Sequence, residues 1–124
     1  MPGFTLAPGA DAAVALSDLE SSLRGVSRSV ADRVLIAVGE LAANSVEHGR
    51  GTVAVSWRIE GGSVQVDVLG PGPTVSQIQE AGLPSDDAVR GRGLFLIRTL
   101  ATSIVAISGG LRLHFAEGME ARAE

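Results

Sequence analysis

The chain has 124 residues, 45% of them hydrophobic, enough for one core and too few for two. With no cysteine it excludes disulfides, thiol nucleophiles and cysteine-based metal sites, and His48 and His114 alone are too few for a zinc or iron cluster. The formal net charge is −4 and all ten basic residues are arginine, without a basic run. That rules out a lysine-dependent phosphate loop and leaves no electrostatic footprint for nucleic acid.

The opening "MPGFTLAPGA" carries no positive leader and no adequate apolar stretch, so it does not read as a signal peptide. The uncharged run between Arg98 and Arg112 is too short and glycine-rich to cross a membrane. The expectation is a cytoplasmic protein, one domain over residues 1–124. An extended piece around Phe4 to Leu6 comes first. "GADAAVALSDLESSLRG" then reads as a helix that stops at Gly25. A second helix is predicted from about Ser29 to His48, with Ser29 as cap, Asp32 favouring the first turn and Gly49 as its end. Its core stripe is Ala31, Val34, Leu35, Val38, Leu41, Ala42 and Val46.

Two strands follow. Val53, Val55, Trp57 and Ile59 alternate with polar or small residues, Gly61-Gly62 turns the chain, and Val64, Val66 and Val68 alternate with Ser63, Gln65 and Asp67. Such alternation describes a sheet covered on one face. Residues 73–90 read as a loop with room for one helical turn, and "GLFLIRTLA" starts a third helix at about Gly93. "SIVAIS", the Gly109-Gly110 turn and "LRLHF" form a closing hairpin with Leu111, Leu113 and Phe115 inward. The fold class is α+β, a two-layer sandwich of a mainly antiparallel sheet with helices packed on one face.

Two groups of residues bear on chemistry. Glu40, Asn44 and His48 recur at i, i+4 and i+8 and share one helix face, with Glu47 beside them. A solvated helix face would look similar, but asparagine is a poor helix former there. A carboxylate one turn from a carboxamide offers a general base and an oxygen ligand for a Mg²⁺-phosphate. Gly70-Pro71-Gly72 and, eighteen residues later, Gly91-Arg92-Gly93-Leu94 form the second group. Glycines let backbone amides approach phosphate, and the second pair opens a helix. Either pair alone is more often an ordinary turn.

Taken together, "ELAANSVEHG", "GPG" and "GRGLFLIR", in this order and spacing, resemble the ATPase superfamily of gyrase, histidine kinases and mismatch-repair proteins. Within it they look most like the bacterial serine-kinase anti-sigma factors. The resemblance runs from about the first helix to Phe115. It implies an antiparallel sheet backed by helices, with ATP and Mg²⁺ between helix and lid. By position it makes Glu40 the catalytic general base and Asn44 the Mg²⁺ ligand, and it puts His48 near the phosphates or ribose. Gly70 and Gly72 would pass beneath the nucleotide. Gly91, Gly93, Leu94 and Phe95 would line the phosphate side, with residues 73–90 as lid and Arg92 adding charge at the γ-phosphate or anchoring that lid. The implied partners are a sigma factor and an antagonist protein whose serine is phosphorylated, and family members are often homodimers.

The sequence departs from the family at the base. The family's motif is Asp-x-Gly-x-Gly, its aspartate accepting a hydrogen bond from the adenine amino group, and that position is Val68 here. Asp67 comes one residue early. One step along a strand reverses the side chain, so Asp67 should face solvent unless a β-bulge at Leu69 turns it inward. An unpaired adenine amino group costs about 1–3 kcal/mol, roughly tenfold to a hundredfold in affinity. "GGLRLHF" also lacks the threonine often found near the adenine. Two functional expectations follow: an ATP-dependent anti-sigma kinase, or a degenerate, non-catalytic protein-binding module that does not need ATP.

Overall fold

The structure, a computed structural model, describes residues 2–82 and 92–118. Strand β1 (Gly3–Leu6) leads into helix α1 (Ala12–Ser22), a 3₁₀ turn (Leu23–Gly25) and the long helix α2 (Arg28–His48). Strands β2 (Val53–Glu60) and β3 (Ser63–Leu69) follow, then the short helix α3 (Val75–Gln79) and helix α4 (Arg92–Leu100). Strands β4 (Ser103–Ile107) and β5 (Gly110–Phe115) close the chain. The five strands form one sheet in the order β1-β2-β3-β5-β4, with every neighbouring pair antiparallel. The α+β class expected from the alternation is the one found.

The helices start where short polar side chains can satisfy free amides. Asp11 accepts from the Ala13 amide at 3.0 Å and begins α1. Ser27, not Ser29, caps α2, accepting from the Val30 amide at 3.3 Å. The 3₁₀ turn brings the chain into extended backbone at Val26, so the helix begins earlier and Ser29 falls on an exposed part of its first turn. Thr74 and Gln77 form a reciprocal capping box on α3, the helical turn expected in that loop.

The period-two pattern sorts the sheet as expected. Val53, Val55, Trp57, Val64, Val66, Val68, Leu111, Leu113 and Phe115 are all buried on the inner face. Leu19, Val30, Val34, Ala37, Val38 and Leu41 of the helices cover them, together with Ile78 and Ile97. Each large side chain buried this way contributes about 1.5–3 kcal/mol relative to exposure. Ile59 is the exception at 38% exposed, because β1 reaches only as far as Ser56 and gives it no neighbour on that side. On α2 the buried stripe also takes in Val30, Ala37 and Ser45, whereas Ala31, Leu35 and Val46 are only half-buried. No helix among the described residues is long and apolar enough to cross a membrane.

Candidate functional site

The carboxyl-terminal half of α2, the loop after β3, helix α3 and the first turn of α4 border a cleft of about 820 Å³. That falls within the usual range for small-molecule sites. Asn44 and His48 line it, as their shared helix face predicts, and both are exposed. Glu47 forms only a loose 3.7 Å contact with His48 at the surface. Glu40, one turn back, is half-buried and lies outside the cleft lining, where its carboxylate packs against Gly93 of α4. A Cβ on Gly93 would stand 2.8 Å from Glu40 Oε1. A side chain at 93 would thus have to displace the Glu40 carboxylate, which glycine leaves in place at the start of α4.

The two glycines after β3 do different things. Gly70 has φ +129°, and a Cβ there would meet the Thr52 carbonyl oxygen at 2.7 Å. Its amide donates to the Gly109 carbonyl oxygen, so it bends the chain off the sheet and does not line the cleft. Gly72 does line it, between Pro71 and Pro73, with open space where a Cβ would go. The β2–β3 register runs unbroken through Val55↔Val68 and Ser56↔Asp67, with no bulge at Leu69. Val68 therefore sits on the inner face, 8% exposed and outside the cleft lining. Asp67 points the other way, as the alternation requires, into an ion pair with Arg112.

From α4, Leu94 lines the cleft. Phe95 does not; it is half-buried beneath the guanidinium of Arg98, 5.8 Å from the ring centre. Arg98 also donates to the Ala81 carbonyl oxygen at 2.7 Å, tying the chain after α3 to α4. Gly91 and the side chain of Arg92 lie outside the described residues, as do positions 83–90 of the expected lid.

Sequence reasoning missed four polar side chains of the cleft lining: Ser45, Arg50, Gln77 and Glu80. Arg50 follows directly on the α2 motif and could have been found from that proximity. Gln77 and Glu80 carried no signal, because only the fold carries α3 to the cleft wall. Ser45 stood inside "ELAANSVEHG", one residue past Asn44, and was assigned to neither face. Among the described residues no cluster of three acidic, histidine or cysteine side chains could hold a metal ion alone. A cation here would need oxygens from a ligand beside the Asn44 carboxamide, which suits Mg²⁺ bound with phosphate.

A family model for the histidine kinase-like ATPase domain matches residues 5–115, from within β1 to the end of β5. No curated protein matches the chain.

Proposed function

The chain belongs to the histidine kinase-like ATPase family, and from that premise we propose that it binds Mg-ATP in the cleft and transfers the γ-phosphate to a serine of a partner protein. The partner set is that of anti-sigma kinases, a sigma factor and its antagonist. One observation carries the reading. Three segments far apart in sequence, represented by Asn44 and His48, Gly72, and Leu94, converge on a single cleft.

Phosphoryl transfer asks a protein mainly for position and charge compensation. Asn44 presents an oxygen to the cation that accompanies the phosphates, and His48 and Arg50 supply donors along the same wall. Bound Mg²⁺ supplies charge neutralisation at the phosphates. Glu40, held against the start of α4, accepts the proton of the attacking serine hydroxyl. The new bond joins serine oxygen to phosphorus, the bond to the β-phosphate oxygen breaks, and ADP leaves.

The test is transfer of labelled γ-phosphate to a cognate antagonist, alongside calorimetric titration with ATP with and without Mg²⁺. Mg²⁺-dependent binding, with transfer abolished in Glu40→Ala, is expected. Undiminished transfer by Glu40→Ala would remove the general base from the reading, and no nucleotide binding by the wild type would sink the reading whole.

A further inference from the structure

We propose that Arg98 is a positioning residue for the cleft, its guanidinium holding the far end of α3 in place as a wall for the bound nucleotide. The inference rests on the nucleotide reading above and adds to it a residue that touches no ligand. Arg98 is absent from the cleft lining, yet Gln77, Glu80 and Ala81, which do line it, belong to the segment it holds.

The two ends of α3 are closed differently. At its start Thr74 and Gln77 satisfy each other's backbone, so that end needs nothing from elsewhere. Its last turn has no basic residue of its own. The amides of Glu80 and Ala81 turn back to the carbonyls of Ser76 and Ile78. The carbonyls of Gln79 and Ala81 are met from α4 instead: Arg98 Nη1 donates to Ala81 at 2.7 Å and reaches Gln79 at 3.5 Å. A cationic side chain suits the last carbonyls of a helix.

Helix α4 is a firm base for this bond. Its Ile97 is buried in the core, and the Phe95 ring lies beneath the guanidinium. Leu94 and Arg98 are four residues apart and share one face of α4. The helix that sets Leu94 in the cleft therefore also holds the α3 wall. By contrast α3 has five residues and one buried side chain, Ile78. So short a helix does not fix its own place. Without the arginine the chain after Ile78 loses its tie to α4, and apparent affinity falls with the fraction of molecules whose wall is in place.

Mg-ATP is titrated calorimetrically into wild type, Arg98→Met and Arg98→Lys, and amide hydrogen exchange is followed with and without ATP. Arg98→Met keeps the aliphatic stem and removes the donors. It is expected to lose about tenfold in ATP affinity, as for a wall in place about a tenth of the time. Exchange at the Glu80 and Ala81 amides should quicken in this variant and slow again when ATP is added. Arg98→Lys keeps a charged donor for the Ala81 carbonyl and should stay within about threefold of the wild type. A merely structural arginine would lower the melting temperature and leave the ATP affinity alone. Unchanged affinity in Arg98→Met overturns the proposal. So does a loss that lysine fails to restore, which would lie with packing on Phe95. A wild type that binds no ATP overturns the nucleotide reading itself, an outcome distinct from both.

Discussion

Asp67 of β3 and Arg112 of β5 stand opposite each other in register and share two hydrogen bonds, Nε to Oδ1 at 2.8 Å and Nη2 to Oδ2 at 3.0 Å. The Asp67 hydrogen bond, then its charge, holds the Arg112 guanidinium above its ordinary pKa. The pair lies on the sheet face away from the helices, while the next residue, Val68, faces inward. The single acid near the glycine loop is thus a cross-strand strut and takes no part in the cleft.

Two substitutions at this pair of positions should separate strut from site. Asp67→Ala should lower the melting temperature slightly and leave ATP affinity unchanged. Val68→Asp buries an unpaired carboxyl and should destabilise the ligand-free protein by about 3 kcal/mol or more. On the proposed function it should also strengthen ATP binding, so that ATP raises its melting temperature more than that of the wild type. Thermal melts of the three proteins with and without ATP check both claims. An Asp67→Ala protein that lost ATP binding would reverse the assignment.

The alternation of Val64, Val66 and Val68 made strand, face and register legible, because a period of two leaves one choice when a face is buried. The outward turn of Asp67 followed from the same rule. Its partner did not, because pairing β3 with β5 is a tertiary fact that no local pattern encodes. The same limit explains the site. Asn44 and His48 were readable as one helix face, whereas Ser45 was assigned to neither the core stripe nor the polar face: the helix period buries it, and only the fold puts the cleft beside it. Ser29 misled as a cap because Ser27 and Ser29 satisfy the same propensity, and the preceding 3₁₀ turn chooses between them.

Gly70 and Gly72 should respond differently to alanine. At Gly70 the positive φ and the 2.7 Å approach to the Thr52 carbonyl oxygen both oppose a Cβ. Gly70→Ala should cost about 2 kcal/mol or more. Gly72 has no atom within 4 Å of a Cβ, so Gly72→Ala should stay within about 0.5 kcal/mol. Chemical denaturation of the two variants measures this. Equal losses would contradict the separation of turn from cleft wall.

Arg33 links α2 to two distant backbone ends, donating to the Leu100 carbonyl oxygen at 3.2 Å and to that of Ala116. It thereby caps the end of α4 and secures the chain after β5. Arg33→Met keeps much of the aliphatic packing and removes the donors, so the expected loss is about 1.5–3 kcal/mol. Hydrogen exchange should locate that loss in the last turn of α4 and around Ala116. Loosening spread evenly over the sheet would mean that Arg33 acts through packing instead.

Gly93 and Glu40 give the most direct functional test. A Cβ at position 93 would stand 2.8 Å from Oε1, 3.6 Å from Cβ and 3.7 Å from Cδ of Glu40. The nearest atom is the free end of a flexible side chain, so Gly93→Ala should fold. Alanine within α4 also removes the conformational penalty of glycine, about 1 kcal/mol. What must move is the carboxylate, and misplacing a reacting group by about 1 Å can cost about a hundredfold in rate. On the proposed function, Gly93→Ala should therefore lose phosphoryl transfer by about that factor, with ATP affinity within about threefold and melting temperature maintained. In a Glu40→Ala background the same change should have little further effect, because the group it displaces is gone. If Gly93→Ala instead abolished ATP binding in both backgrounds, the glycine would serve the ligand directly and its packing against Glu40 would be incidental.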